Sequence, residues 1–178
     1  MKISLCGSDG SGKTCLAEYL AGKLDLPLIP DHYRAMVQEI QCQTFFLVQN
    51  KLDFFERIIH RMEEDQQSYD SYVFDRSALD CWVIWQRWCW NHYPPETTTR
   101  ILHRLTALQD HCNKTIVLSV NPHAEYDGFR FINPHYAEQY DALIQAYISQ
   151  SNTPGNFISI KSAQSIEDMI QQIETNLF

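Results

Sequence analysis

The sequence predicts an α/β fold of three layers, in which a parallel sheet lies between two layers of helices. Five short apolar runs with the pattern of buried strands alternate along the chain with segments of helical periodicity. A glycine-rich stretch lies between the first strand and the first helix. The chain has 178 residues and shows no internal repeat or linker. Residues 1–178 are therefore predicted to form a single domain.

The predicted elements follow from apolar spacing and from turn residues. Strands are expected over residues 2–6, 27–30, 71–75, 114–120 and 157–160. Helices are expected over 13–24, 45–62, 79–92 and 96–112, then from 134 and from about 165. Pro94 and Pro95 separate two of these helices, because proline cannot continue a helix.

Charge and composition exclude several classes of protein. The formal net charge is −8, which argues against binding to a nucleic acid polymer or to an anionic membrane. No apolar run approaches ~18 residues, so no membrane span is predicted. The six cysteines form no CxxC pair, which disfavours a zinc or thioredoxin-type site. A reducing cytoplasm is the expected location.

The stretch "GSDGSGKT", residues 7–14, fits the pattern GxxxxGK[ST] of a phosphate-binding loop. Glycines let backbone amides curl around a polyphosphate, and the following helix adds the positive end of its dipole. Lys13 is expected to reach the β- and γ-phosphates, and Thr14 to ligate Mg²⁺. ATP and Mg²⁺ are therefore the expected cofactors. The predicted nucleotide-binding residues are Gly7, Gly10, Ser11, Gly12, Lys13 and Thr14.

A second motif, Asn50-Lys51-Leu52-Asp53, matches the NKxD signature with which GTPases read guanine. It lies inside the predicted helix 45–62, whereas that signature follows a strand late in the domain. A GTPase is therefore disfavoured.

Asp75 and Arg76 end the third predicted strand, at the sheet edge where ligands bind in open α/β folds. An acid there can hold Mg²⁺ opposite Thr14. An adjacent arginine can hold a phosphate through two hydrogen bonds. The pair favours phosphoryl transfer to an acceptor over hydrolysis; the alternative is an Asp–Arg pair that caps the next helix.

With these motifs the sequence resembles the P-loop nucleoside and nucleotide kinases, thymidylate kinases in particular. The resemblance rests on "GSDGSGKT" and "FDRS", and extends weakly to "FFLVQNK", "YDGFRF" and "FISIKSAQSIEDMIQQI". It implies a P-loop NTPase fold with a five-stranded parallel sheet in the order 2-3-1-4-5. It also implies an acceptor-binding helix at about 43–66 and a lid at about 121–134.

The resemblance also implies roles for individual residues. Asp9 would face the acceptor sugar, and Arg76 would hold the acceptor. Phe46 would stack on the base, and Lys51 stands where the family has an arginine that touches it. Arg130 would be the lid arginine over the transferring phosphate. A solvated helix lysine and a surface-loop arginine are equally good interpretations of Lys51 and Arg130.

The second strand departs from the thymidylate kinase pattern, because Asp31 and Arg34 follow it. In the related nucleoside kinases an acid at this position takes the proton from the sugar hydroxyl. Ribosylnicotinamide kinases show the same acid with an arginine three residues on, and Arg34 beside Arg76 also suits a phosphate. Asp80, one helical turn after Arg76, could read a base or sugar.

The sequence therefore predicts a phosphotransferase that acts on a nucleoside monophosphate. One alternative is a nucleoside kinase with Asp31 as base; another is a nucleotide-binding regulatory protein without turnover. The tryptophan-rich stretch 82–90 is expected to be core, with a homodimer contact and a base platform as alternatives.

Overall fold

The computed structural model describes residues 1–41, 48–120, 133–161 and 165–177. Within them lie five strands: β1 (Lys2–Gly7), β2 (Leu28–Ile29), β3 (Tyr72–Phe74), β4 (Lys114–Leu118) and β5 (Phe157–Ile160). The helices are α1 (Lys13–Leu24), α2 (His32–Glu39), α3 (Lys51–Ser68), α4 (Ala78–Trp88), α5 (Pro95–Asp110), α6 (Pro134–Gln150) and α7 (Ile166–Leu177). A 3-10 turn at Pro154–Asn156 precedes β5.

The five strands form one sheet in the order β2-β3-β1-β4-β5, and all neighbouring pairs are parallel. This confirms the predicted three-layer α/β fold and its strand order. The register pairs Gly7 with Leu118 and Ile29 with Phe74, so the strands end close to one edge. Because the strands are parallel, whatever follows β1, β2 and β3 meets at that edge.

Two hydrophobic clusters cover the two faces of the sheet. One packs α1 and α7 against the strands and contains Leu16, Leu20 and Ile173. The other lies under α2 to α6 and contains Phe55 and Trp85. The alternating strands and amphipathic helices of the sequence thus bury their apolar sides in two separate layers.

The structure differs from the sequence prediction at α2 and α3. Helix α2 was not predicted, although Asp31 caps its N-terminus and is a start signal in the sequence. Helix α3 begins at Lys51 rather than near residue 45, and the Asn50 side chain caps it by accepting from the Asp53 amide. Val48 is buried outside the helix, so its apolar spacing did not reflect a helical turn. The four residues that match NKxD therefore form the N-cap and first turn of α3.

Candidate active site

The phosphate loop connects β1 to α1 through backbone conformations that favour glycine. Gly10 and Gly12 have φ values of 77° and 92°, in the left-handed region. At Gly7, a Cβ would lie 2.6 Å from the carbonyl oxygen of Leu118. A side chain at Gly7 would therefore push the loop away from β4.

Lys13 turns back into this loop. Its Nζ donates to the carbonyl oxygens of Gly7 and Ser8, at 2.7 and 2.8 Å, and is 3.5 Å from the Ser11 hydroxyl oxygen. The lysine is only 7% exposed. The N-cap of α1 is Gly12, which has no side chain to occupy the first-turn amides. Those amides and the ammonium group together form a cationic cradle of the kind that binds phosphate.

Thr14 and Asp75 bring two oxygen ligands together beside the loop. The Thr14 side chain lies near enough to the carboxyl group of Asp75 to affect its pKa. Burial raises the pKa of Asp75, and the Thr14 hydroxyl partly opposes that rise. A hydroxyl and a carboxylate are hard oxygen donors, so these two neighbouring residues fit Mg²⁺ and would hold it.

Arg76 is buried between two carboxylates. Its Nε donates to Asp31 Oδ2 at 2.8 Å, and one terminal nitrogen donates to Asp9 Oδ1 at 3.2 Å. Its guanidinium carbon lies 5.2 Å from the centre of the Tyr33 ring. Burial acts to lower the pKa of Arg76, but Asp31 and Asp9 outweigh it, so the pKa is raised well above its usual value. Arg76 also has a φ of 143°, a strained conformation for a residue with a side chain.

Asp31 uses its two oxygens for two different purposes. Oδ1 accepts from the amides of Tyr33 and Arg34, which caps α2. Oδ2 accepts from Arg76, which also donates to Asp9 in the phosphate loop. The Arg34 residue is exposed in the first turn of α2. The predicted acid and arginine after β2 thus start a helix that sequence reasoning did not foresee.

The prediction that Asp80 reads the acceptor is wrong. Asp80 is fully buried, and its oxygens accept from the amides of Gly7 and Ser77 and from the hydroxyls of Ser77 and Tyr140. With both oxygens engaged inside the protein, it cannot reach an acceptor. Ser77 and Asp80 form a complete capping box at the start of α4.

The remaining predicted residues fall into two groups. Lys51 lies in the first turn of α3, donates to the Val48 carbonyl oxygen at 3.0 Å, and lines a cleft of about 450 Å³ together with Trp88 and Tyr93. Phe46, Arg130 and nearly all of the predicted lid lie outside the described residues.

The tryptophan-rich stretch divides between core and surface. Trp85 is fully buried, with its ring centre 5.1 Å from that of Phe55 and 5.3 Å from that of Tyr93, which agrees with the expected core role. Trp90 is 54% exposed. The stretch is therefore not a single stacking platform.

Two tyrosines lie within electrostatic range of the carboxylate–guanidinium cluster and were not singled out in the sequence. Burial raises the pKa of both Tyr33 and Tyr136, and the charges of Asp9 and Arg76 act on each of them. Tyr33 lies in the first turn of α2 and Tyr136 in the first turn of α6. Tyr33 follows Asp31 by two residues, but only a predicted α2 would have placed it at the site.

Among the described residues, no group of three or more histidine, cysteine, aspartate or glutamate side chains could hold a metal ion. No helix in the described ranges combines the length and the apolar character needed to cross a membrane.

Solved structures with the same fold include several kinases. A deoxyadenosine kinase from M. mycoides is 14% identical, with a TM-score of 0.72 over 99% of this chain and 98% of that chain. The NadR protein in complex with NR is 12% identical, with a TM-score of 0.73; 99% of this chain matches 51% of that chain. A shikimate kinase from Aquifex aeolicus is 13% identical, with a TM-score of 0.57 over 99% of this chain and 96% of that chain. At these identities the likeness establishes the fold.

A match to a family model identifies the family to which the chain belongs. A search of the curated proteins found no match. The model described as "AAA domain" matches residues 2–167, which include the phosphate loop and every strand of the sheet. With this match over most of its length, the chain belongs to the AAA domain family of P-loop proteins.

Proposed function

We propose that this protein is an ATP- and Mg²⁺-dependent kinase that phosphorylates a hydroxyl group of a nucleoside, with Asp31 as the general base. The observation that carries the proposal is the ion-paired cluster of Asp31, Arg76 and Asp9, at the same sheet edge as Lys13. The fold that the chain shares with a deoxyadenosine kinase supports a nucleoside acceptor.

The cluster suits a neutral acceptor better than a phosphorylated one. The guanidinium group of Arg76 already donates to two carboxylates, and Asp75 adds a third carboxylate nearby. A monophosphate would have to compete with Asp31 and Asp9 for Arg76 and would be repelled by their charges. A sugar hydroxyl needs only an acceptor for its proton, and Asp31 Oδ2 is such an acceptor.

The other residues would serve the phosphates. Lys13 and the amides of the loop would bind the phosphates of ATP and stabilise the charge that spreads over the transferring group. Thr14 and Asp75 would hold Mg²⁺, which supplies charge neutralisation at the phosphate oxygens. Asp31 would receive the proton of the attacking hydroxyl, and Arg76 would keep the Asp31 carboxylate oriented toward it.

A nucleoside monophosphate kinase of the thymidylate kinase type is the second candidate. It is favoured by Arg34, an exposed cation in the first turn of α2, three residues after Asp31. A monophosphate acceptor could place its phosphate against this arginine. A nucleotide-binding regulatory protein without turnover is the third candidate, and it predicts that no acceptor speeds ATP consumption.

The decisive measurement is ADP release from ATP and Mg²⁺ with a panel of nucleosides and their 5′-monophosphates. Acceleration by a nucleoside supports the proposal, and acceleration by monophosphates alone supports the second candidate. Consumption of ATP that no acceptor accelerates supports the regulatory protein.

The variant Asp31→Asn tests the base directly. Asparagine also caps helices well, so α2 should persist while the base is lost. We expect kcat to fall by on the order of 10²-fold or more. The exposed Asp53→Asn, in the first turn of α3, is the matched control and should keep the wild-type kcat. An unchanged kcat in Asp31→Asn would exclude Asp31 as the base.

A further inference from the structure

Asp80 is the centre of a buried hydrogen-bond network that joins three parts of the molecule. Oδ1 accepts from the Gly7 amide at 3.1 Å and from the Tyr140 hydroxyl at 2.7 Å. Oδ2 accepts from the amide and the hydroxyl of Ser77, each at 3.1 Å. Asp80 is 0% exposed and Tyr140 2% exposed, so water does not compete for these bonds.

The network connects the phosphate-binding lysine to helix α6. Lys13 donates to the carbonyl oxygen of Gly7, the amide of Gly7 donates to Asp80, and Tyr140 of α6 donates to the same Asp80 oxygen. Burial raises the pKa of Tyr140 well above its usual range, so its hydroxyl keeps the proton that it donates. Three hydrogen bonds therefore separate the ammonium group of Lys13 from α6.

Helix α6 also lies within electrostatic range of the cluster of Asp31, Arg76 and Asp9. Tyr136 lies one turn before Tyr140, with the two ring centres 5.9 Å apart. The charges of Asp9 and Arg76 act on Tyr136. A shift of α6 would therefore move a tyrosine that lies within electrostatic range of the proposed acceptor cluster.

We propose that the hydrogen bond between Tyr140 and Asp80 couples nucleotide binding at the phosphate loop to the position of α6. Asp80 and Tyr140 are positioning residues, because both are buried and would act through Gly7 and α6. This inference rests on the proposed function for its nucleotide, but not on the identity of the acceptor.

The physical reason is that a buried carboxylate must keep its hydrogen bonds. If Gly7 moves when the loop binds phosphate, the Asp80 oxygen that it shares with Tyr140 must follow or lose a donor, which is costly in a buried site. Coupling between two sites is reciprocal, so docking of α6 must strengthen nucleotide binding by the same factor as nucleotide strengthens the docking.

Hydrogen exchange of the full chain tests this coupling, with and without a saturating non-hydrolysable ATP analogue and Mg²⁺. In the wild type we expect the analogue to slow exchange over 134–150 by about 5-fold or more. Tyr140→Phe should lose this slowing in α6, keep the slowing over residues 1–16, and bind the analogue more weakly. Tyr147→Phe is the matched control, since it removes a hydroxyl from the same helix two turns away.

Each outcome bears on a different claim. Full slowing of α6 in Tyr140→Phe, or none in the wild type while residues 1–16 are slowed, would overturn the coupling and leave the proposed function standing. No slowing of residues 1–16 in the wild type would overturn nucleotide binding itself, and the coupling with it. Asp80→Asn should behave as Tyr140→Phe; if it fails to fold, Tyr140→Phe alone decides.

Discussion

The N-termini of α1 and α4 lie at the same edge of the sheet, yet the chain completes them in opposite ways. At α1 the N-cap is Gly12, with no side chain to occupy the first-turn amides. At α4 the N-cap Ser77 and the buried Asp80 form a full capping box. Of two helix N-termini, the one at α1 thus leaves its first amides without a side-chain cap, and the one at α4 is fully capped.

The two helix starts differ in whether their first-turn amides are available to bind an anion. An open helix start attracts phosphate because its amides still need acceptors. At α4 the first-turn amide of Asp80 is already bonded to the cap, which stabilises the helix and leaves that amide unable to bind an anion. The same cap supports the loop before α1, since Asp80 accepts from the Gly7 amide. The cap of α4 therefore also holds the backbone of the predicted phosphate loop.

Of the changes at the two helix starts, removing the Lys13 ammonium group at the start of α1 should have the largest effect. Lys13→Ala deletes the ammonium group that the loop carbonyls hold in place, and we expect kcat to fall by about 10²–10³-fold. The measurement is the steady-state rate of ADP formation with the best acceptor. Lys23→Ala, at the other end of α1, is the control and should leave that rate unchanged. Wild-type activity in Lys13→Ala would refute the phosphate-loop assignment.

Adding a side chain at Gly12, the N-cap of α1, should have an intermediate effect. Gly12→Ala places a Cβ at a φ of 92° and 3.1 Å from Met169 Cε, so the free energy of unfolding should fall by about 1–2 kcal/mol in urea titrations. Gly22→Ala, inside α1 with open space around its Cβ, should instead raise it by about 0.5–1 kcal/mol. Equal effects of the two variants would contradict the role of backbone conformation at Gly12.

Weakening the cap at the start of α4 should have the smallest effect. Ser77→Ala removes the hydroxyl that caps α4, and the free energy of unfolding should fall by about 1 kcal/mol. Asn50→Ala removes the cap of α3, away from the phosphate loop, and should cost a similar amount. Only Ser77→Ala should also weaken nucleotide binding, measured by titration calorimetry. If both variants bind nucleotide equally well, the α4 cap does not support the loop.

The sequence predicted the sheet and the phosphate loop because both depend on local patterns. Buried strands are continuous apolar runs, and the loop must have glycines where Gly10 and Gly12 take positive φ values. Contacts between residues that are far apart in the sequence produce no such local pattern. The bond between Asp80 and Tyr140 spans 60 residues, so Asp80 looked like an acceptor-reading residue beside Arg76. Helix α2 was missed because its eight residues are too short to show a clear period.

The strained backbone of Arg76 sets two contributions to the stability of the fold against each other at this position. Glycine alone would relax a φ of 143°, and it would also abolish the ion pairs with Asp31 and Asp9. Alanine would lose the ion pairs and keep the strain. Removing one partner of a buried ion pair costs about 3–5 kcal/mol, whereas a strained residue costs about 1–3 kcal/mol, so the ion pairs outweigh the strain and arginine at position 76 serves the stability of the fold as well as the chemistry of the site.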